Sequence, residues 1–370
     1  MTNITGARTA AAEESLMISD LIIPADANAR DADEFCRMVE VGNRMAARDA
    51  GIDDLDETAE QLLPGWLDQT DRVRRGFVAR RGTAIAGFGS LTTSAQPGTT
   101  TAELELAVPS HEWDTGVAQM LLARIEQEAR DMGRSVAQTW SLHPAASDGR
   151  ILTPATGWGA ASSTQLTDLL EAQGYTFEQI ERNSVLHLSS ALTHLEERLA
   201  EATTTAGPDY RTVVWTLPTP PHLRTGYGSV IARMATDVPS GDLVYEQEAW
   251  DDDRVARRDA QFAAGGQTMS VAAVVHEPTG EMVAFNELMI GSDLTGVTHQ
   301  WGTLVAREHR GKRLGTIVKC ANLLRWRGIA PDSPKVSTFN AEENRPMLDI
   351  NEAIGFVPAS YAGGWQKQLS

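Results

Sequence analysis

The sequence predicts an α/β protein made of two similar halves in tandem, and three observations carry that reading. The chain has 370 residues, enough for two ordinary domains. One order of elements, strand, helices, hairpin, strand and helix, is legible between residues 17 and 132 and recurs after residue 205. Finally, Val297 to Gly328 reads as a strand, a basic glycine-bearing turn and an amphipathic helix in immediate succession.

In the first half, Met17 to Pro24 is apolar and β-branched and predicts a strand. Ala29 to Ala50 has helical periodicity, with Phe35, Met38, Val39, Val41 and Met45 tending to one side. Val73 to Leu91 reads as a hairpin turning at Arg81-Gly82-Thr83, and Thr101 to Pro109 as a further strand. Gly116 to Met132 is a helix whose Val117, Met120, Leu121 and Ile125 share a face. A short helix is expected over Ser189 to Ala202. The small, polar stretch Thr203 to Pro208 after it has the composition of a link between domains.

The second half repeats the plan. Tyr210 to Leu217 is a strand, Pro221 to Ala235 a helix, and Asp251 to Ala264 a helix opened by an aspartate-rich cap. Met269 to His276 and Met282 to Ile290 form a hairpin around Pro278-Thr279-Gly280. The strand from Val297 to Val305 and the helix from Leu314 follow, then a strand over Lys335 to Phe339, a helix over Asn344 to Ala353 and a last β segment through Trp365. The expected division is a leader at 1–16, a first domain at 17–200, a linker at 201–208 and a second domain at 209–370.

The turn Arg310-Gly311-Lys312-Arg313-Leu314-Gly315 has a physical use. The first amides of a helix have no intrahelical partner, and the helix dipole places partial positive charge at the same end. Gly311 and Gly315 let backbone approach an anion, while Arg310, Lys312 and Arg313 surround it with cations. A nucleoside-triphosphate loop is disfavoured: it needs glycine where Ala306 stands and Ser or Thr where Arg313 stands.

These residues resemble the signature loop of the GNAT acyltransferases, Arg/Gln-x-x-Gly-x-Gly/Ala, with Arg313 at the middle glycine. The block from Thr338 to Met347, ending in Asn351-Glu352-Ala353-Ile354-Gly355-Phe356, is similar to the same family's later strand and helix. The resemblance implies two tandem GNAT-like domains, each a mixed, mostly antiparallel sheet flanked by helices. It implies acetyl-CoA as acyl donor and the primary amine of a small molecule as acceptor. Donor contacts would fall on the strand end Leu304, Val305 and Ala306, on Arg310, Gly311, Lys312, Arg313, Leu314, Gly315 and Thr316 of the loop and first helical turn, and on Asn340 and Asn344.

Acyl transfer to an amine calls for a base, and an acid for the leaving thiolate. The family often uses a tyrosine as the acid where Asn351 stands, so Tyr361 is the substitute candidate, against a core-packing role. Glu287 and His299 are the base candidates. Phe285, Trp301 and Trp365 are candidates for an acceptor pocket, each against the alternative of core packing. In the first half the matching loop is Trp113-Asp114-Thr115-Gly116-Val117-Ala118, where tryptophan replaces the arginine and Asp114 would repel a pyrophosphate. The first half is therefore expected to keep the fold and lack the anion site. Two other classes stay open: an acyl-CoA-binding protein without turnover, and a structural module.

With 32 basic and 50 acidic residues the net charge is −18, which argues against nucleic acid and anionic membranes as general partners. Only Cys36 and Cys320 are present, so a disulfide framework is not expected and a reducing cytoplasm fits. The sequence shows no zinc-type Cys/His spacing, no HExxH and no GxSxG, so metal and serine-hydrolase chemistries are not expected. It shows no apolar run of the roughly 20 residues that span a bilayer.

Overall fold

The computed structural model describes residues 15–146, 149–188 and 193–370. Its first half runs β1 (Leu16–Asp20), α1 (Asp33–Ala50), α2 (Ala59–Leu67), β2 (Arg72–Arg81), β3 (Ala84–Ser94), β4 (Thr101–Ala107), α3 (Val117–Asp131), β5 (Val136–Pro144), the short β6 (Ile151–Leu152) and β7 (Ala161–Ser162), α4 (Gln165–Ala172) and β8 (Thr176–His187). After α5 (Thr193–Ala206) come β9 (Tyr210–Thr216), α6 (Pro221–Ala232), α7 (Met234–Asp237), α8 (Asp252–Ala264), β10 (Thr268–His276), β11 (Glu281–Ile290), β12 (Thr298–Val305), α9 (Leu314–Trp326), β13 (Lys335–Ala341), α10 (Arg345–Ile354) and β14 (Val357–Gln368).

Each expected element has its counterpart, with ends displaced by a few residues. Residues 1–14 of the expected leader and 189–192 of the expected helix lie outside the described residues, and Leu16 already belongs to β1. Most of the expected linker is helix. α5 continues to Ala206, with the hydroxyls of Thr203, Thr204 and Thr205 donating to the carbonyls four residues back, and it ends at Gly207 with φ 85°.

All the long strands join one sheet of 12, in the order β1-β2-β3-β4-β5-β14-β8-β13-β12-β11-β10-β9. The two halves exchange their last strands. β14 from the end of the chain lies antiparallel between β5 and β8 of the first half, and β8 pairs antiparallel with β13 of the second. Polar side chains fasten this seam. Asn183 donates to Ser360 at 3.0 Å and accepts from Ser337 at 2.8 Å, while Arg182 forks onto Glu342 with two bonds of 2.8 Å.

Helices cover both faces of the sheet. In the first half α3 sets Leu121 and Ile125 into one core with Leu104 and Trp365, and α1 and α2 set Phe35 and Trp66 into another with Val78 and Phe88. In the second, α9 and α5 cover one face, and α6 with α8 bury Trp215, Tyr227, Phe285 and Leu304 on the other. The halves also meet where α2 packs on α8, held by Arg257 on Asp71 at 2.7 and 2.8 Å and Gln261 on Asp68 at 3.0 Å.

Candidate functional site

Each half contains one parallel strand pair that holds together only at its start. In the second half Thr298 faces Val336 and His299 faces Ser337, after which β12 and β13 part. In the first half Thr101, Ala102 and Glu103 face Val136, Ala137 and Gln138 before β4 and β5 part. Each splayed strand runs through a 3₁₀ turn into a helix, and the residue just before that helix is left-handed in both halves: Gly116 (φ 85°, ψ 0°) and Arg313 (φ 57°, ψ 19°). The second half thus holds in an arginine a conformation suited to glycine, at a strain on the order of 1 kcal/mol.

The two loops differ in charge. In the second half Lys312 and Arg313 are exposed and make no ion pair among the described residues, so their charges are available beside the first amides of α9. Arg310 acts differently from its neighbours: its guanidinium donates to the Val305 carbonyl at 3.3 Å and to the Asp237 carbonyl, tying the loop to α7. Gly315 lies close to α10: a Cβ there would come within 2.9 Å of Ile350 Cδ1, which would have to shift. In the first half Trp113 is buried and Asp114 exposed.

Buried polar atoms near the second splay want partners. Asn351 on α10 donates to Asn340 Oδ1 at 2.7 Å, yet its own Oδ1 is buried without a partner, and so is Gln300 Oε1 on β12. Asn344 precedes α10 without making a side-chain cap bond. Leu304 and Val305 end β12 and Ala306 follows it, with Val305 and Leu304 paired to β11 on the side away from the splay. Thr316 lies half-buried in the first turn of α9. The expected donor-site residues from Leu304 to Thr316 are therefore one contiguous strand end, loop and helix start, with Asn340 and Asn344 on β13 and before α10.

The three proposed acid and base residues are not brought together. Glu287, 2% exposed, accepts from Tyr227 and from Arg258 at 2.8 Å on one oxygen and from the Gly302 amide at 3.0 Å on the other. Both of its oxygens are therefore bonded, and the Arg258 guanidinium is paired with it. His299 sits at the closed end of the splay. Burial pushes its pKa below the ordinary histidine value against the pull of Asp54, so the imidazole is neutral at pH 7. Tyr361 is carried off by the strand exchange, opposite His143 and Arg182, and packs on the first-half core. Two strands separate it from His299, roughly 14 Å at ordinary sheet spacing.

Two clefts open beside the meeting of the halves. One, of about 350 Å³, is lined by Phe285, Glu287, Trp301, Phe262, Trp250 and Arg258. The other, of about 710 Å³, lies in the first half between α1, α2 and the β4–β5 splay. Arg72, Arg74 and Trp301 line both clefts. Trp301 is half-exposed and meets Phe262 edge to face, whereas Trp365 is fully buried and belongs to the core. Sequence reasoning missed the first-half cleft, since its walls come from eight separate elements.

A duplicated sheet, splayed in each half beside a helix-opening turn, defines a protein of the tandem acyltransferase fold. Residues 44–146 match the model of the acetyltransferase (GNAT) family. Among solved structures the chain is similar to a tandem GNAT protein from the clavulanic acid biosynthesis pathway, with 20% identity, a TM-score of 0.70, and coverage of 96% of this chain and 99% of that one. It is similar to a GCN5-related N-acetyltransferase from Sphaerobacter thermophilus, with 14% identity, a TM-score of 0.56 and coverage of 96% of each chain. It is also similar to a structure containing the glucosamine N-acetyltransferase region of a fungal multi-domain β-N-acetylglucosaminidase, with 13% identity, a TM-score of 0.58, and coverage of 98% of this chain and 39% of that one. No curated protein matches in sequence. The GNAT family pattern lies in residues 44–146, and the tandem GNAT fold spans both halves.

Proposed function

We propose that the chain transfers an acetyl or related acyl group from acyl-CoA to a primary amine of a small molecule, with the donor held by the second half. The family match supports acyl-CoA as donor. The observation that carries the placement is the loop before α9, where a left-handed Arg313 and an unpaired Lys312 stand beside free helix amides at the mouth of a strand splay. Asn351 Oδ1 and Gln300 Oε1, buried and unpartnered, fit a ligand that supplies hydrogen-bond donors. The acceptor enters by the cleft beside Trp301 and Phe262.

Transfer proceeds by direct attack. The neutral amine forms its bond to the thioester carbon, the carbon–sulfur bond breaks, and the sulfur leaves as thiolate and takes up a proton. Orientation within a ternary complex supplies much of the acceleration. Neither cysteine suits an acyl-enzyme: burial raises the pKa of Cys36, and Cys320 is fully buried and pushed up to about 11. His299, neutral and at the closed end of the splay, is the base this reading retains. The molecule's soluble, cytoplasmic character belongs to the same proposal; among the described residues no helix is long and apolar enough to cross a membrane.

A second reading places transfer in the first half. It is favoured by the family match to residues 44–146 and by the open cleft at the β4–β5 splay. Calorimetry with acetyl-CoA decides between them. We expect one site per chain, strongly weakened by Lys312→Glu with Arg313→Glu and nearly unchanged by Asp114→Ala. Binding indifferent to the loop charges would transfer the site to the first half. Release of free CoA with pooled amines then tests turnover, and its absence with every amine would leave a donor-binding protein.

A further inference from the structure

Strand β12 breaks its own alternation at Trp301 and Gly302. Thr298 accepts from Trp326 of α9 at 2.8 Å, and Thr303 accepts from Asn286, whose side chain is in turn held by Asn322 of α9. Thr298 and Thr303 therefore face the same side of the sheet across an odd interval, which regular alternation does not allow. The pairing with β11 locates the extra residue. Asn286 faces Thr303 and Leu288 faces Gln300, so Glu287 stands opposite both Trp301 and Gly302. Both bulge residues turn away from α9. Trp301 meets Phe262 of α8 edge to face at 5.6 Å, and a Cβ on Gly302 would come within 2.6 Å of Phe285 and 2.9 Å of Glu287.

A largely buried charge cluster grips this bulge. One oxygen of Glu287 accepts the Gly302 amide at 3.0 Å. The other takes the Tyr227 hydroxyl of α6 and, at 2.8 Å, Arg258 of α8, which also donates to the Tyr227 oxygen at 3.1 Å. Burial, and then the Glu287 carboxylate, hold the Tyr227 phenol well above its ordinary pKa, so it stays a hydrogen-bond donor. The Arg258 guanidinium lies 5.1 Å from the centre of Phe262, the ring on which Trp301 packs. Helices α6 and α8 and strand β11 thus converge on one backbone amide beside Trp301. A buried ion pair adds little net stability, so geometry is what this cluster supplies.

Trp301 is half-exposed, and with Arg72 and Arg74 it makes the wall shared by the clefts of about 350 and 710 Å³. The two arginines are held elsewhere, Arg72 by Glu248 at 3.4 Å and Arg74 by the Gly65 carbonyl. The indole is the apolar part of that wall. We propose that Trp301 determines which amines the acceptor cleft admits, and that Glu287, Tyr227 and Arg258 are positioning residues that hold its bulge. With the indole in place an acceptor is confined to the smaller cleft; without it the two clefts run together and longer acceptors fit. This rests on the reading that the acceptor enters beside Trp301, and not on where the donor binds.

The test uses the full chain labelled with 5-fluorotryptophan, the Trp301 fluorine resonance being identified by its loss in Trp301→Phe. We expect one narrow Trp301 resonance in the parent. It should be displaced or divided in Glu287→Gln with Arg258→Met, which removes both charges of the pair together and leaves neither orphaned. Ethanolamine, tyramine and 4-benzyloxyphenethylamine serve as probes of increasing length, and at least one should move the parent's Trp301 resonance saturably. By calorimetry, Trp301→Ala should raise affinity for the longest probe relative to the shortest by about tenfold, with acetyl-CoA affinity changed less than about threefold. Lys312→Glu with Arg313→Glu should leave the Trp301 resonance and its response to the amines unchanged, so failure of the donor reading is seen separately. An unchanged Trp301 resonance in the folded double variant, no response to any of the three amines, or an unaltered preference in Trp301→Ala would overturn the proposal.

Discussion

Lys319→Met should stabilise the protein. Lys319 is the sixth residue of α9, fully buried, with its ammonium nitrogen unpartnered and 6.0 Å from the ring centre of Phe356. Leu122 holds the same place in α3. Burial depresses the lysine pKa from 10.5 to about 7. At about 1.4 kcal/mol per unit, that shift corresponds to a cost on the order of 5 kcal/mol for keeping the amine in the core at pH 7. Methionine fills nearly the same volume without that cost, and relaxation around the amine lowers the gain to about 2–5 kcal/mol. The sign follows from the depressed pKa. Between about pH 7 and pH 10.5 the unfolded chain binds a proton that the native state does not, so this residue's contribution to stability rises with pH. Urea unfolding at pH 7 and pH 9 reads both effects. The parent should gain about 2 kcal/mol relative to the variant over that interval. A variant no more stable at pH 7, or parallel behaviour of the two proteins between pH 7 and pH 9, would refute a neutral, unpaired lysine.

Three further outcomes are expected. Arg313→Gly should raise stability by about 1 kcal/mol, because it removes a left-handed arginine, while weakening acetyl-CoA binding through the lost charge; loss of both would show the side chain to be structural. If His299 is the base, the acid limb of the rate profile should lie below the ordinary histidine pKa, because burial lowers its value, and His299→Gln should abolish that limb with donor affinity intact; an unshifted profile would exclude it. Residues 209–370 expressed alone should aggregate, since β14 loses both its partners, β5 and β8, and exposes two unpaired edges; a soluble, fully active fragment would contradict the interlocked sheet.

Local structure was readable from the chain wherever one face of an element is apolar. The helix from Leu314, the hairpins around Gly82 and Gly280, and the repeated order of elements follow from periodicity and turn chemistry, which act within a few residues. The loop from Arg310 to Gly315 was legible for the same reason. Among the longer elements, α2, β5, α4 and β8 were not. β8 shows why, since Glu178, Gln179, Arg182 and Asn183 break any apolar alternation. The partners of the last three include Glu343, Glu342, Ser337 and Ser360, all more than 150 residues away. The exchange of last strands belongs wholly to the tertiary level, because pairing of β14 between β5 and β8 is a choice among edges that no local pattern encodes. The surroundings of the candidate site belong to that level too: only the fold brings Arg258, Tyr227 and the Gly302 amide around Glu287. Charge and hydrogen bonding are properties of neighbourhoods, and most neighbours here are distant in the chain.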